Sequence, residues 1–175
     1  MSNLLIDLSK DYCQGGFCSV FRILGREDIV FKQFDSKKTA TESYKNQLIL
    51  SRFDLAPKIH SKICRLNYAP YGFYSVDEPS LWGYVVEKAN PVNHTKITMK
   101  KLQILVESIA EKTSLKFWDC HWYNVGSVKR GKTKKLVCID TGKESFSGYS
   151  NAWGNPDPGP KCSYCNTYEC KCEDD

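Results

Sequence analysis

The chain has 175 residues, a formal net charge of +5, 41% hydrophobic and 26% charged residues. That is the make-up of a water-soluble globular domain with enough apolar residues for a real core, and no apolar run is long enough to span a bilayer. The first residues, MSNLLIDLSKDY, lack the basic start and apolar block of a secretory signal. A reduced, cytoplasmic setting is therefore expected, with the nine cysteines free or metal-bound rather than paired as a disulfide framework. The mild positive charge suits an anionic ligand and does not by itself imply nucleic acid.

In chain order, Gly15-Gly16 precede a β-rich stretch, Val20 to Leu24, and a turn at Gly25-Arg26. Ile29 to Phe34 reads as the returning strand, with Lys32 inside an otherwise apolar run. Glycines let a backbone approach phosphate oxygens closely, and a buried lysine is costly unless it meets an anion. Residues 36–53 read as a helix, with Ala40, Tyr44, Leu48 and Phe53 as its apolar stripe. Thr39 and Glu42 on that helix have the spacing of a capping box.

Residues 61–79 read as strand pieces joined by aromatic loops, and Leu81 to Glu87 as an apolar strand stopped by Pro91. Thr98 has the chemistry to cap a helix from Met99 to about Lys112. Leu102, Leu105, Val106, Ile109 and Ala110 fall on one face of it.

The stretch that carries most chemistry is LKFWDCHWYNVGSVKRGKTKKLVCIDTG, Leu115 to Gly142. Asp119 and Asn124 lie five residues apart and a β-hairpin pattern follows, Val125 to Val128 and Leu136 to Ile139, with a basic turn between. Asp140 stands at its exit. A hairpin brings its ends together, so Asp119, Asn124 and Asp140 are expected to converge on a hard-oxygen site suited to Mg²⁺ and phosphate. The basic run from Lys129 to Lys135 reads as a solvated hairpin tip.

D-x-x-x-x-N, a hairpin and I-D-x-G together resemble the core of the protein-kinase-like superfamily, which includes aminoglycoside and choline phosphotransferases and RIO kinases. The resemblance extends upstream. The family's glycine loop is similar at Gly15, Phe17 and Val20, with Cys13 and Cys18 standing where glycines are usual. It implies an α+β, bilobal fold with a five-stranded antiparallel N-lobe sheet and a much reduced C-lobe. It implies Asp119 as catalytic base, Asn124 and Asp140 as Mg²⁺ ligands, and Lys32 on the ATP phosphates, held by the helical Glu42. Gly15, Gly16, Phe17, Val20, Lys32, Val86, Glu87 and Ala89 would line the nucleotide site, with Val86 as gatekeeper and adenine bonding the backbone from Glu87 to Ala89.

The function implied is Mg·ATP-dependent phosphoryl transfer, to a protein Ser/Thr hydroxyl in the first reading. A small-molecule acceptor is the alternative, favoured by His121, since the small-molecule enzymes often read D-x-H-x-x-N. A nucleotide-binding pseudokinase serving as an interaction module is the other, favoured by Cys13, Cys18 and the short remainder. Only 33 residues follow Gly142, too few for the family's substrate-binding helices. Residues 1–150 are thus expected to form a minimal kinase-like domain, and residues 151–175 a Pro/Gly linker and cysteine-rich tail. In the tail, Cys162, Cys165, Cys170 and Cys172 are spaced C-x₂-C-x₄-C-x-C, which can close around Zn²⁺ as a knuckle or remain a metal-free end.

Overall fold

The computed structural model describes residues 6–14, 18–66, 81–92 and 94–146. The described chain is α+β and forms two compact units. The first comprises residues up to Leu48 together with Lys58–Lys88, and the second Ile49–Pro57 together with the chain from Ala89 onward. The anticipated 151–175 tail, with its four cysteines, lies outside the described residues, as do Gly15, Gly16 and Phe17.

The first unit is built on a five-stranded antiparallel sheet, as the kinase-like resemblance implied. Its strands are β1 (Ile6–Gln14), β2 (Ser19–Ile23), β3 (Arg26–Phe34), β4 (Cys64–Leu66) and β5 (Leu81–Glu87), in the order β1-β2-β3-β5-β4. The β2–β3 hairpin closes tightly because Gly25 takes φ +75°, a conformation that costs glycine nothing. Pairing aligns Val20 with Lys32 and Lys32 with Tyr84 across three neighbouring strands. Side chains alternate across a strand, so the sheet buries two sets. Phe21, Ile23, Ile29, Phe31 and Val85 pack on one side. On the other, Val30, Phe34, Tyr84 and Val86 pack with Ala40 and Tyr44 of helix α1 (Lys37–Ser51). Gly83 is required by this packing, since a Cβ there would run into the Lys32 carbonyl and the Phe31 ring.

Helix α1 differs from expectation in two ways. Its first turn is capped by Ser36, whose hydroxyl accepts from Thr39 N at 3.1 Å, so Thr39 and Glu42 form no capping box. Its buried face carries Ala40, Ser43, Gln47 and Leu50, while Leu48 is 36% and Phe53 43% exposed. Ala40 and Tyr44 of the expected stripe do pack in the core, whereas Leu48 and Phe53 do not, and the polar Ser43 and Gln47 fill buried positions beside them.

The second unit holds helix α2 (Met99–Thr113), a three-stranded sheet ordered β6-β7-β8, and the short helix α3 (Lys143–Phe146). The strands are β6 (Asn90–Pro91), β7 (Val125–Arg130) and β8 (Thr133–Cys138). As expected, Thr98 caps α2, its hydroxyl accepting from Lys101 N at 3.4 Å. The helix ends at Ser114, which takes the left-handed φ of 60° and donates its N–H to Ala110 O. Leu102, Leu105 and Ile109 point into a core shared with Leu50, Leu55, Phe117, Val125, Cys138 and Phe146. Among the described residues no helix is long and apolar enough to cross a membrane.

Candidate functional site

The chemistry of the second unit gathers where the chain enters and leaves the β7–β8 hairpin. Before β7, a single 3-10 turn spans Trp122–Asn124, closed by Asn124 N donating to His121 O at 2.9 Å. It folds Asn124 back toward Asp119. The Asn124 Nδ2 donates to the Asp119 carbonyl at 2.9 Å and to the Asp119 Oδ2 at 3.0 Å. Both partners are acceptors, so the amide nitrogen must face them, and the amide oxygen is turned the other way. At the far end of the hairpin, Ile139 N donates to Asn124 O at 2.9 Å and Asp140 N approaches the same oxygen at 3.4 Å. The three residues expected to converge therefore do so, joined by a chain of hydrogen bonds through Asn124.

Asp140 is itself fixed. Its Oδ1 accepts from Gly142 N at 3.1 Å and its Oδ2 from Ser145 Oγ at 3.0 Å. Ser145 is fully buried at the start of the unit's return toward the loop, where its carbonyl accepts from Trp118 N at 3.2 Å and Phe146 stacks on Phe117 at 5.0 Å. Ser145 lies inside the expected 1–150 domain, where the sequence alone assigns it no role. Its position five residues after Asp140, in a helical stretch, was the available signal.

His121 stands against the same carboxylate as Asn124, its Nε2 lying 3.6 Å from Asp119 Oδ1. The Nδ1 on the other edge of the ring is buried and meets no hydrogen-bond partner among the described residues. Tyr123, by contrast, is 67% exposed. Cys120, next to Asp119 in the chain, is fully buried, and burial, reinforced by the Asp119 charge, pushes its thiol up to about 12.

As a donor set this arrangement is made of hard oxygens: the Asp140 carboxylate and the outward amide oxygen of Asn124. That suits Mg²⁺, which takes few protein ligands and completes its shell with water or phosphate. It does not suit a cation that needs a protein cage. Among the described residues no cluster of three or more His, Cys, Asp or Glu side chains is placed to hold a metal.

In the first unit, Val20, Lys32 and Val86 lie on the sheet face that packs against α1. Lys32 is only 5% exposed. The expected Lys32–Glu42 pair is not among the ion pairs found between described residues. The helix directs Ala40, Ser43 and Gln47 inward, and Glu42 lies beside that face. The Lys32 Nζ lies 5.8 Å from the ring centroids of both Phe34 and Tyr84.

At the end of β5, Glu87 N donates to Lys58 O and Lys88 N to Asp28 O, each at 2.8 Å. The Glu87 carboxylate accepts from Lys58 N at 3.1 Å. These two amides are thus engaged within the unit. Val86 is buried at 3% exposure in the core beside Tyr84.

No protein-family model and no curated protein matches the chain. Among solved structures, the kinase PK-1 of Cydia pomonella granulovirus superposes with a TM-score of 0.49 at 12% sequence identity, covering 74% of this chain and 51% of that one. The chain thus matches about half of that kinase's length.

Proposed function

We propose that the chain is a Mg·ATP-dependent phosphotransferase acting on a hydroxyl acceptor, a protein Ser or Thr in the leading reading. The observation that carries it is the Asp119–Asn124–Asp140 constellation, in which one amide ties a carboxylate to the hairpin exit where the second carboxylate stands. Asp119 would orient the acceptor hydroxyl and take its proton as the oxygen bonds to the γ-phosphorus. The bond from that phosphorus to the bridging oxygen breaks, and ADP leaves. Asn124 and Asp140 would hold Mg²⁺, which when bound neutralises phosphate charge. Lys32, with Val20 and Val86 on its sheet face and Ala89 beyond β5, would contribute the nucleotide contacts. A small-molecule acceptor is the second reading, favoured by His121 standing 3.6 Å from Asp119 in a D-x-H-x-x-N loop.

The test is incubation of the purified protein with γ-labelled ATP and a cell extract. Label in protein supports the first reading and label in small molecules the second. Asp119→Asn keeps shape while removing charge, so it should spare Mg·ATP affinity and lower turnover by about 10²- to 10⁴-fold. Asp140→Ala should weaken Mg²⁺-dependent nucleotide binding as well as abolish transfer. Equal turnover in wild type and Asp119→Asn would remove Asp119 from its role. Nucleotide binding without transfer to any acceptor would make the protein a pseudokinase.

A further inference from the structure

We infer that Ser145 is a positioning residue for the Asp140 carboxylate, and that by holding it the serine makes the site prefer Mg²⁺ to Ca²⁺. The inference rests on the reading of Asp140 as a Mg²⁺ ligand proposed above. All the residues involved belong to the second unit. Ser145 is fully buried, and its Oγ donates to Asp140 Oδ2 at 3.0 Å. A buried hydroxyl needs a partner, and a charged acceptor gives it the stronger kind of bond. The other oxygen, Oδ1, accepts from Gly142 N at 3.1 Å. The carboxylate is therefore gripped at both oxygens and held against rotation.

The backbone on either side of this grip has its own supports. The Asp140 carbonyl accepts from the Cys138 thiol at 2.9 Å, and the Asp140 N–H approaches Asn124 O at 3.4 Å. The turn that carries Ser145 is held by Trp118 N, which donates to the Ser145 carbonyl at 3.2 Å, and by the stack of Phe146 on Phe117. Removing the hydroxyl alone thus frees one side chain and leaves both backbones in place. Trp118 directly precedes Asp119, so Ser145 also closes a second route between the two acids, beside the one through Asn124. Mg²⁺ demands near-ideal octahedral geometry, and a ligand already fixed meets that demand with no further ordering. Ca²⁺ takes carboxylates through one oxygen or two in a flexible shell, so it gains little from a fixed ligand. A carboxylate released by loss of the serine hydroxyl would therefore serve Ca²⁺ about as well as before and Mg²⁺ less well.

The experiment uses full-length ¹⁵N-labelled protein and follows amide hydrogen exchange without metal or nucleotide. In Ser145→Ala the Gly142 amide, which donates to the carboxylate, should exchange about tenfold faster, while the Trp118 amide, which donates to the Ser145 carbonyl, keeps its protection. Leu102→Ala loosens the same core without touching Asp140, so it should leave the ratio of the two rates unchanged. In parallel, calorimetric titration should show Mg·ATP binding weakened about 10- to 100-fold in Ser145→Ala, with Ca·ATP binding weakened much less. If Ser145→Ala does not fold, Ser145→Cys decides, since its thiol fills the same place and donates only weakly. The inference is overturned if the Gly142 amide is unaffected, if both amides lose protection together, or if Mg·ATP and Ca·ATP binding fall alike. The second of these outcomes would reduce Ser145 to a prop for its turn. If the wild type binds neither nucleotide complex while the exchange pattern holds, the phosphotransferase reading falls and the positioning of Asp140 by Ser145 stands.

Discussion

Replacing Asn124 by aspartate asks how far one amide holds the loop together. The Asn124 Nδ2 makes two hydrogen bonds, 2.9 Å to a carbonyl and 3.0 Å to the Asp119 carboxylate. The first is an ordinary neutral bond worth about 0.5–1.5 kcal/mol, and the second, to a charged acceptor, about 1.5–3 kcal/mol. Asn124→Asp deletes both and sets a second carboxylate against the first. The Asp119 side chain is 25% exposed, so solvent softens the repulsion, and a net loss of about 2–3 kcal/mol at pH 7 is expected. The pH dependence separates the two contributions. Two carboxylates at this distance can share a proton, so the folded variant binds that proton more tightly than its unfolded chain does. Stability relative to wild type should then recover as pH falls from 7 toward 4. Asn124→Ala loses the bonds without the repulsion, so its deficit should change little over the same range. Urea unfolding of the three proteins at both pH values measures this. An aspartate deficit that is absent, or that is the same at both pH values, would refute the idea that the amide holds Asp119.

Two further outcomes concern the core of the second unit. Leu102 is fully buried on α2, so Leu102→Ala should cost about 2–5 kcal/mol in urea unfolding, with the higher figure if the cavity does not collapse. Cys120 is buried and its thiol pushed up to about 12, so it should resist iodoacetamide at pH 8 and react only after unfolding, as peptide mapping by mass spectrometry would reveal.

The parts of the fold legible in sequence were those governed by local rules. The β7–β8 hairpin follows from two alternating runs around a glycine, and Gly131 takes φ +60° at its tip. Helix α2 follows from Thr98 and a clean apolar stripe. The convergence of Asp119, Asn124 and Asp140 follows from hairpin closure. What was missed depended on long-range partners. Strand β1 was not anticipated, because Ile6–Gln14 is an edge strand paired irregularly with β2. Strand β6 is two residues long and includes Pro91, which cannot donate a ladder bond. The inner face of α1 was only half legible: Ala40 and Tyr44 pack as expected, but Ser43 and Gln47 are also buried there, and a hydrophobicity pattern cannot indicate that Tyr84, 41 residues along the chain, awaits the Ser43 hydroxyl.

The β7–β8 hairpin also separates what can vary in this chain from what cannot. Its register runs without a shift from Val125 opposite Cys138 to Arg130 opposite Thr133. Asn124 and Asp140 flank the open end, and Gly131-Lys132 form the closed one. A slip of one residue would turn every side chain to the opposite face and displace Asp140 from Asn124 by about 3.3 Å. Extra residues inserted between Gly131 and Lys132 add only a loop and leave every pair below them in place. The hairpin is thus a spacer of fixed length with a disposable tip. Fusion of a reporter or an affinity peptide there would extend the protein without altering the distance between Asn124 and Asp140.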